Sequence, residues 1–265
     1  MSSHDQSHKK IDFIIGGAQK AGTTALALYL KQNPKVYLPH NKELHLFRRW
    51  PGKYGPSEAA IQDKYKGVDK TLLWGDATPV YLYWPQSLNM AYAHNPRMKV
   101  IITLRHPAER AYSAWSMEIR RERETLSFSD AIRIGRERVK QSQGGVHLIY
   151  SYVERGFYAQ QIRHLLSIFD RKNIFFLRSD SINADNPVME RLQNFLGTDP
   201  IQFQQINSNV FPSSLTSSDS TIEDDMHYLQ NIYARDMEKL TDLTGLSFDD
   251  WLEAPPKPKP QNWLE

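Results

Sequence analysis

The chain has 265 residues, 40% of them hydrophobic and 24% charged, a globular composition with room for one large α/β domain or two small ones. A net charge of +3 and a pI near 8.9 suit an anionic ligand but are too slight to argue for nucleic acid. Without cysteine there are no disulfides, no thiolate chemistry and no cysteine-bound metal, and no apolar run reaches the roughly 18 residues of a membrane-spanning helix.

Residues 1–10 are polar and rich in His, Ser and Lys, with no apolar signal-peptide core; they are expected to form a disordered leader on a cytoplasmic protein. A single domain is expected over 11–252, followed by a proline-rich tail at 253–265. The apolar run 11–15 reads as a buried strand, and a helical pattern opens at Gly22 or Thr23 and runs to about Gln32. Between them lie Gly17, Lys20 and Gly22, so strand, glycine-rich turn and helix N-terminus together make an anion site. Gly17 and Gly22 have Walker A spacing, but Thr23 stands where that motif has its lysine, and Lys20 lies inside the loop. An ATPase needs the missing lysine and Mg²⁺, so this loop suits a different anion.

Val36 to Leu38 is a short strand candidate. After Lys42, polar and apolar residues alternate, so Glu43 and His45 face the same way if the segment is extended. They are acid/base candidates, although the pattern alone favours solvated residues of a surface alternation. The stretch 48–55 is basic and aromatic: an acceptor grip or a solvated loop. A short helix is expected over 57–66, capped by Ser57, then a strand over 71–74 and a helix over 85–94. Residues 99–104 are the second strong buried strand. Arg105 sits at its C-terminal tip, where open α/β sheets bind ligands, and Pro107 starts the next helix. Ser113 lies about 9 Å along that helix, with Arg110 its neighbour three positions earlier.

The charge run 118–124 reads as a solvated helix end, and 128–141 as a helix charged on one face. Gly156-Phe157-Tyr158 opens an amphipathic helix with Ile162, Leu165, Leu166 and Phe169 on its apolar face. Residues 173–177 form the third buried strand, and 187–196 a helix closed by Gly197. Residues 207–220 are a long polar loop, and 221–244 the last helix. The order of elements implies a three-layer α/β domain with a mostly parallel sheet.

Four stretches resemble one family. Gly-x-x-Lys-x-Gly-Thr-Thr at 17–24 is similar to the 5′-phosphosulfate loop of sulfotransferases that use 3′-phosphoadenosine 5′-phosphosulfate (PAPS). Arg105, Pro107, Arg110 and Ser113 match their 3′-phosphate motif, Arg-x-Pro-x-x-Arg-x-x-Ser. Lys-Glu-x-His-x-Phe at 42–47 resembles the segment carrying the catalytic glutamate in heparan-sulfate-type members and their bacterial relatives, with Glu43 at the matching position. Asp76-Ala77-Thr78-Pro79 resembles the family's Glu-Lys-Thr-Pro but lacks its lysine, which puts acceptor identity in doubt more than donor use. No match to the late Lys-Gly-Arg phosphate clamp is found near 207–220. The likeness covers residues 12–196, and more weakly runs to Trp251.

The resemblance implies a P-loop-like fold and sulfonate transfer from PAPS, as co-substrate and without a metal, to a hydroxyl or amine of a carbohydrate or small molecule. It implies Glu43 as general base with His45 as runner-up, and Lys20 on the bridging oxygen. Lys20, Ala21, Gly22, Thr23 and Thr24 would hold the 5′-phosphate, Arg105 and Ser113 the 3′-phosphate, and Tyr158 is a candidate for adenine or for core packing. The aromatic and basic residues Arg48, Arg49, Trp50, Tyr81, Tyr83 and Trp84 are acceptor-stacking candidates or plain packing. A nucleotide kinase with a degenerate Walker loop and a non-catalytic nucleotide-binding scaffold are the alternatives. Oligomeric state is not legible.

Overall fold

A computed structural model of the chain describes residues 8–41, 43–48, 57–206 and 220–253. The expectations for the leader's first residues, for Arg49 and Trp50, for most of the 207–220 loop and for the tail from 254 onward lie outside the described residues.

Five strands form one sheet: β1 (Phe13–Gly17), β2 (Val36–Tyr37), β3 (Leu73–Ala77), β4 (Lys99–Leu104) and β5 (Ile174–Arg178). Their order is β2-β3-β1-β4-β5 and every pairing is parallel, with Ile14 opposite Asp76 and Val100. The helices are α1 (Thr23–Leu30), α2 (Glu58–Lys64), α3 (Ser87–His94), α4 (Pro107–Arg120), α5 (Phe128–Ile132), α6 (Arg136–Lys140), α7 (Tyr158–Ile168), α8 (Pro187–Leu196), α9 (Ser220–Met237), α10 (Leu240–Thr244) and α11 (Asp249–Glu253).

Strand β1 and the run Val100–Ile102 of β4 are continuously apolar because both sheet faces are covered there. Successive side chains alternate between two cores. Ile14, Val100, Ile102 and Leu104 pack with residues of α4, α7 and α9, whereas Phe13, Ile15 and Ile101 pack with Leu26 and Leu30 of α1 and Leu192 of α8. Because the sheet is parallel, β1, β3 and β4 all deliver their C-terminal ends to one edge. The loop after Gly17, the turn after Ala77 and Arg105 after Leu104 therefore share that edge.

Several boundaries differ from the sequence expectation. Strand β3 begins later and runs through Gly75-Asp76-Ala77, since Asp76 points into a buried polar cluster and not to solvent. The helix expected over 128–141 is two short helices split around Gly135, where a Cβ would lie 2.3 Å from the Ala131 carbonyl oxygen. The last helix breaks after Met237, and α10 and α11 continue beyond it. The charge run 118–124 is solvated over 119–123, as expected, but not at its two ends. Glu118 and Glu124 are buried, the first paired with Arg123 at 2.6 Å and the second with Arg138 at 2.7 Å, and Glu124 also accepts from the Tyr152 hydroxyl. Among the described residues no helix is long and apolar enough to cross a membrane.

Candidate active site

The loop after β1 is fixed by backbone ties to its neighbours. The Ala18 N–H donates to the Thr103 carbonyl at 2.7 Å, the Leu82 N–H to the Gly16 carbonyl at 2.8 Å, and the Thr103 hydroxyl to the Ala21 carbonyl. Lys20 and Gly22 adopt left-handed φ of 69° and 83°. At Gly22 this suits only glycine in practice, because an added Cβ would also sit 3.0 Å from Ile182 Cδ1. Gly22 is the N-cap of α1 and no side chain caps the helix, so its first-turn amides face the loop's concavity, the arrangement that takes a phosphate. Thr23 and Thr24 occupy that first turn, and Lys20 reaches α4, with Nζ 3.9 Å from Met117 Sδ.

Arg105 stands at the end of β4, its Nε donating to Glu109 Oε2 at 2.8 Å, while its carbonyl accepts from the Tyr158 hydroxyl at 2.8 Å. The Tyr158 side chain is fully buried, and that bond secures the arginine's backbone. Ser113 lies partly exposed on α4, whereas Arg110 is wholly buried and donates to the Tyr152 carbonyl, so the helix turns these two neighbours to different surroundings. His106 caps α4, its Nδ1 accepting from the Ala108 N–H, and burial lowers the ring to about 4, which keeps it neutral as an acceptor.

Glu43 and His45 are brought together, Oε2 to Nε2 at 3.7 Å, both half-buried and both with positive φ. Burial, reinforced by Arg48 and opposed by Glu43, lowers the His45 imidazole below its ordinary value. Tyr81 is buried and hydrogen-bonded to Asp76, which leaves it no surface for stacking. Tyr83 donates to Ser151 Oγ at 3.0 Å.

Sequence reasoning missed Arg155. This guanidinium is 3% exposed, donates to the Gln19 side chain in the anion loop and to the His147 and Leu148 carbonyls, and lies over the Tyr83 ring. Burial and then Arg110 lower it to about 10, which leaves it charged. Its adjacency to Gly156 and Tyr158 was the available signal. Among the described residues no group of His, Asp and Glu is placed to hold a metal ion.

A strand–loop–helix turn beside a strand–arginine–helix, at one end of a parallel sheet, gives the chain a P-loop-like layout with a candidate anion site. The profile of the sulfotransferase domain family matches residues 10–215, and the chain belongs to that family of enzymes. A sulfotransferase from Alicyclobacillus acidocaldarius is similar in structure, with TM-score 0.76 and 28% identity over 91% of this chain and 98% of that one. Human heparan sulfate glucosamine 3-O-sulfotransferase 6 is 28% identical over 69% of this chain and 51% of its own length. The membrane-associated sulfotransferase kil1 of Dictyostelium discoideum is 21% identical over 89% of this chain and 66% of its own. The chain thus spans about half to two thirds of the length of these curated relatives. With the family shown, neither the kinase nor the scaffold reading is favoured.

Proposed function

We propose that the protein transfers the sulfonate group of PAPS to a hydroxyl of a carbohydrate or small-molecule acceptor. The observation that carries this reading is the shared edge. Lys20 and Gly22 after β1, Arg105 after β4, and Glu43 and His45 beside the β3 turn are contributed by separate parts of the chain to one end of one sheet. The cradle fits a 5′-phosphate, since no side chain caps the N-terminus of α1 and Gly22 takes the left-handed φ of 83° that the turn into the helix requires.

When bound, PAPS supplies an activated sulfonate whose leaving group is a phosphate. The α1 amides, Thr23 and Thr24 hold that phosphate, and Arg105 and Ser113 fix the second phosphate and so the donor's orientation. Glu43 takes the proton from the acceptor hydroxyl as its oxygen forms the new bond to sulfur. Lys20 neutralises the charge that develops on the bridging oxygen as the old S–O bond breaks. His45, 3.7 Å from Glu43 and beyond hydrogen-bond distance of it, is the alternative base. A carbohydrate acceptor is preferred because relatives include enzymes named for heparan sulfate glucosamine, while Ala77 in place of the family's lysine sets this acceptor site apart.

Thermal melts with 3′-phosphoadenosine 5′-phosphate, AMP and ATP–Mg²⁺ test the donor. At about 100 times its Kd the bisphosphate stabilises by roughly 2.7 kcal/mol, several degrees for a chain of this size. A shift with ATP–Mg²⁺ and none with the bisphosphate would overturn the reading. Arg105→Ala is expected to abolish most of the bisphosphate shift. Glu43→Gln is expected to keep it while turnover falls by about 100-fold or more.

A further inference from the structure

Behind the segment that carries Glu43 lies a buried polar cluster which donor binding does not use. Asp76 is 1% exposed. Its carboxylate accepts from the Thr78 hydroxyl, 3.0 Å from both oxygens, from the Tyr81 hydroxyl, and from the backbone N–H of Leu44. The two hydroxyls in turn accept from the same segment: the His45 N–H donates to Thr78 Oγ1 at 3.3 Å, and the Phe47 N–H to Tyr81 Oη at 3.2 Å. Three amides of the stretch 44–47 therefore end on Asp76, directly or through one hydroxyl.

The polarity of this cluster depends on its root. An amide N–H can only donate, so each of the three needs an acceptor. A hydroxyl has one proton, and once that proton is committed to Asp76 its lone pairs are left for the amide. Only an acceptor-only group at position 76 orients both hydroxyls this way while also receiving the Leu44 N–H. A side-chain amide there would set a donor against donors.

The segment so held is one that would not adopt its shape unaided. Glu43 and His45 have φ of 64° and 54°, in the left-handed region that residues with a Cβ rarely enter. Such conformations persist when their surroundings over-determine them. Leu46 and Phe47, both buried, anchor the C-terminal end of the segment by packing, but the amides between the two left-handed residues are held by the cluster.

We propose that Asp76 is a positioning residue which, through Thr78 and Tyr81, holds the Glu43–Phe47 backbone in the strained form that sets Glu43 and His45 side by side toward the acceptor. This rests on the reading of Glu43 as the base for its catalytic consequence, though not for its structural content.

The experiment is hydrogen exchange by mass spectrometry on the full chain, following a peptide that spans 43–48 and, as a control, one that spans 99–104. Wild type is compared with Asp76→Asn, Thr78→Val and Tyr81→Phe, and each is also assayed for turnover and bisphosphate affinity, alone and with Glu43→Gln. The 43–48 peptide is expected to exchange about tenfold faster in Asp76→Asn and Tyr81→Phe, with the control unchanged. Turnover is expected to fall about tenfold or more with bisphosphate affinity kept, and Asp76→Asn should cost little further once Glu43 is already Gln. Unchanged exchange of 43–48 in both Asp76→Asn and Tyr81→Phe would overturn the proposal, as would equal losses with and without Glu43. Should Asp76→Asn fail to fold, Tyr81→Phe and Thr78→Val carry the test, since each removes one acceptor and leaves the carboxylate. Normal turnover of Glu43→Gln together with faster exchange would sink the base assignment and leave the clamp standing.

Discussion

A carboxylate as enclosed as Asp76 costs the fold free energy unless its hydrogen bonds repay the lost water. Burial raises its carboxyl to about 6, above the value near 4 of an unfolded chain, with Tyr81, Thr78 and the Leu44 N–H pulling the other way and Glu43 adding to the rise. Tyr65, whose hydroxyl is donated to the Gly75 carbonyl at 2.7 Å, is a further titratable neighbour and is itself pushed up by burial and by Asp76. The folded state therefore holds the Asp76 proton more tightly than the unfolded chain. The penalty is fully present above about 6 and is relieved as the pH falls toward 4. Between about pH 7.5 and about pH 5 wild type should gain on the order of 1 kcal/mol relative to Asp76→Asn, which has no titrating group at this position. Urea denaturation of both proteins at the two pH values checks this. A difference that is flat with pH would mean that the carboxyl keeps its ordinary value despite its burial.

At the level of elements, the sequence is read most easily where a local pattern has a local cause. The apolar runs of β1, β4 and β5 and the spacing of Gly17, Lys20 and Gly22 could be read directly, because burial on both sheet faces and a glycine-rich anion turn leave marks within a few residues. The polar interior was not legible. Glu118 and Glu124 look like solvated charges until the fold brings Arg123, Arg138 and Tyr152 to them. Asp76 falls just beyond the strand expected over 71–74, and nothing local marks it as buried until Thr78, Tyr81 and the 43–47 segment close around it. Gly156 is a similar case. In the sequence it opens the Gly-Phe-Tyr entry to α7, yet its physical reason is Tyr233 of α9, whose ring and hydroxyl would lie 2.5 Å from an added Cβ. That tyrosine is buried and donates to the Val153 carbonyl at 2.8 Å, so it has nowhere to retreat. Gly156→Ala should destabilise the protein by about 1–3 kcal/mol through overpacking, measured as a lowered denaturation midpoint at constant slope. An unchanged midpoint would show that α9 can shift without cost.

Across the whole molecule, the matched family region ends at residue 215 but the hydrophobic core does not. Leu229, Tyr233, Met237, Leu240, Phe248 and Trp251 belong to the same cluster as Ile14, Val100 and Leu104 of the sheet. Helix α11 is tied to the end of β5 by Arg178, which donates to both Asp250 oxygens at 2.6 Å and to the Ser247 carbonyl. These partly exposed ion pairs contribute little each, and the apolar contact should dominate. Trp251 is that contact: it is 5% exposed, packs on Phe248 with ring centroids 4.5 Å apart, and faces His106 at 5.7 Å. His106 caps the helix that follows Arg105, so the C-terminal helix buttresses the strand-to-helix turn assigned to the 3′-phosphate. Trp251→Ala should therefore do two things. It should cost about 3–5 kcal/mol, as removal of a buried aromatic ring does. It should also weaken the bisphosphate, because the turn that carries Arg105 loses its backing, so the melting gap between variant and wild type widens when the bisphosphate is added. Melts of both proteins with and without bisphosphate separate these effects. A gap of the same size in both conditions would mean that α11 stabilises the fold without shaping the donor site.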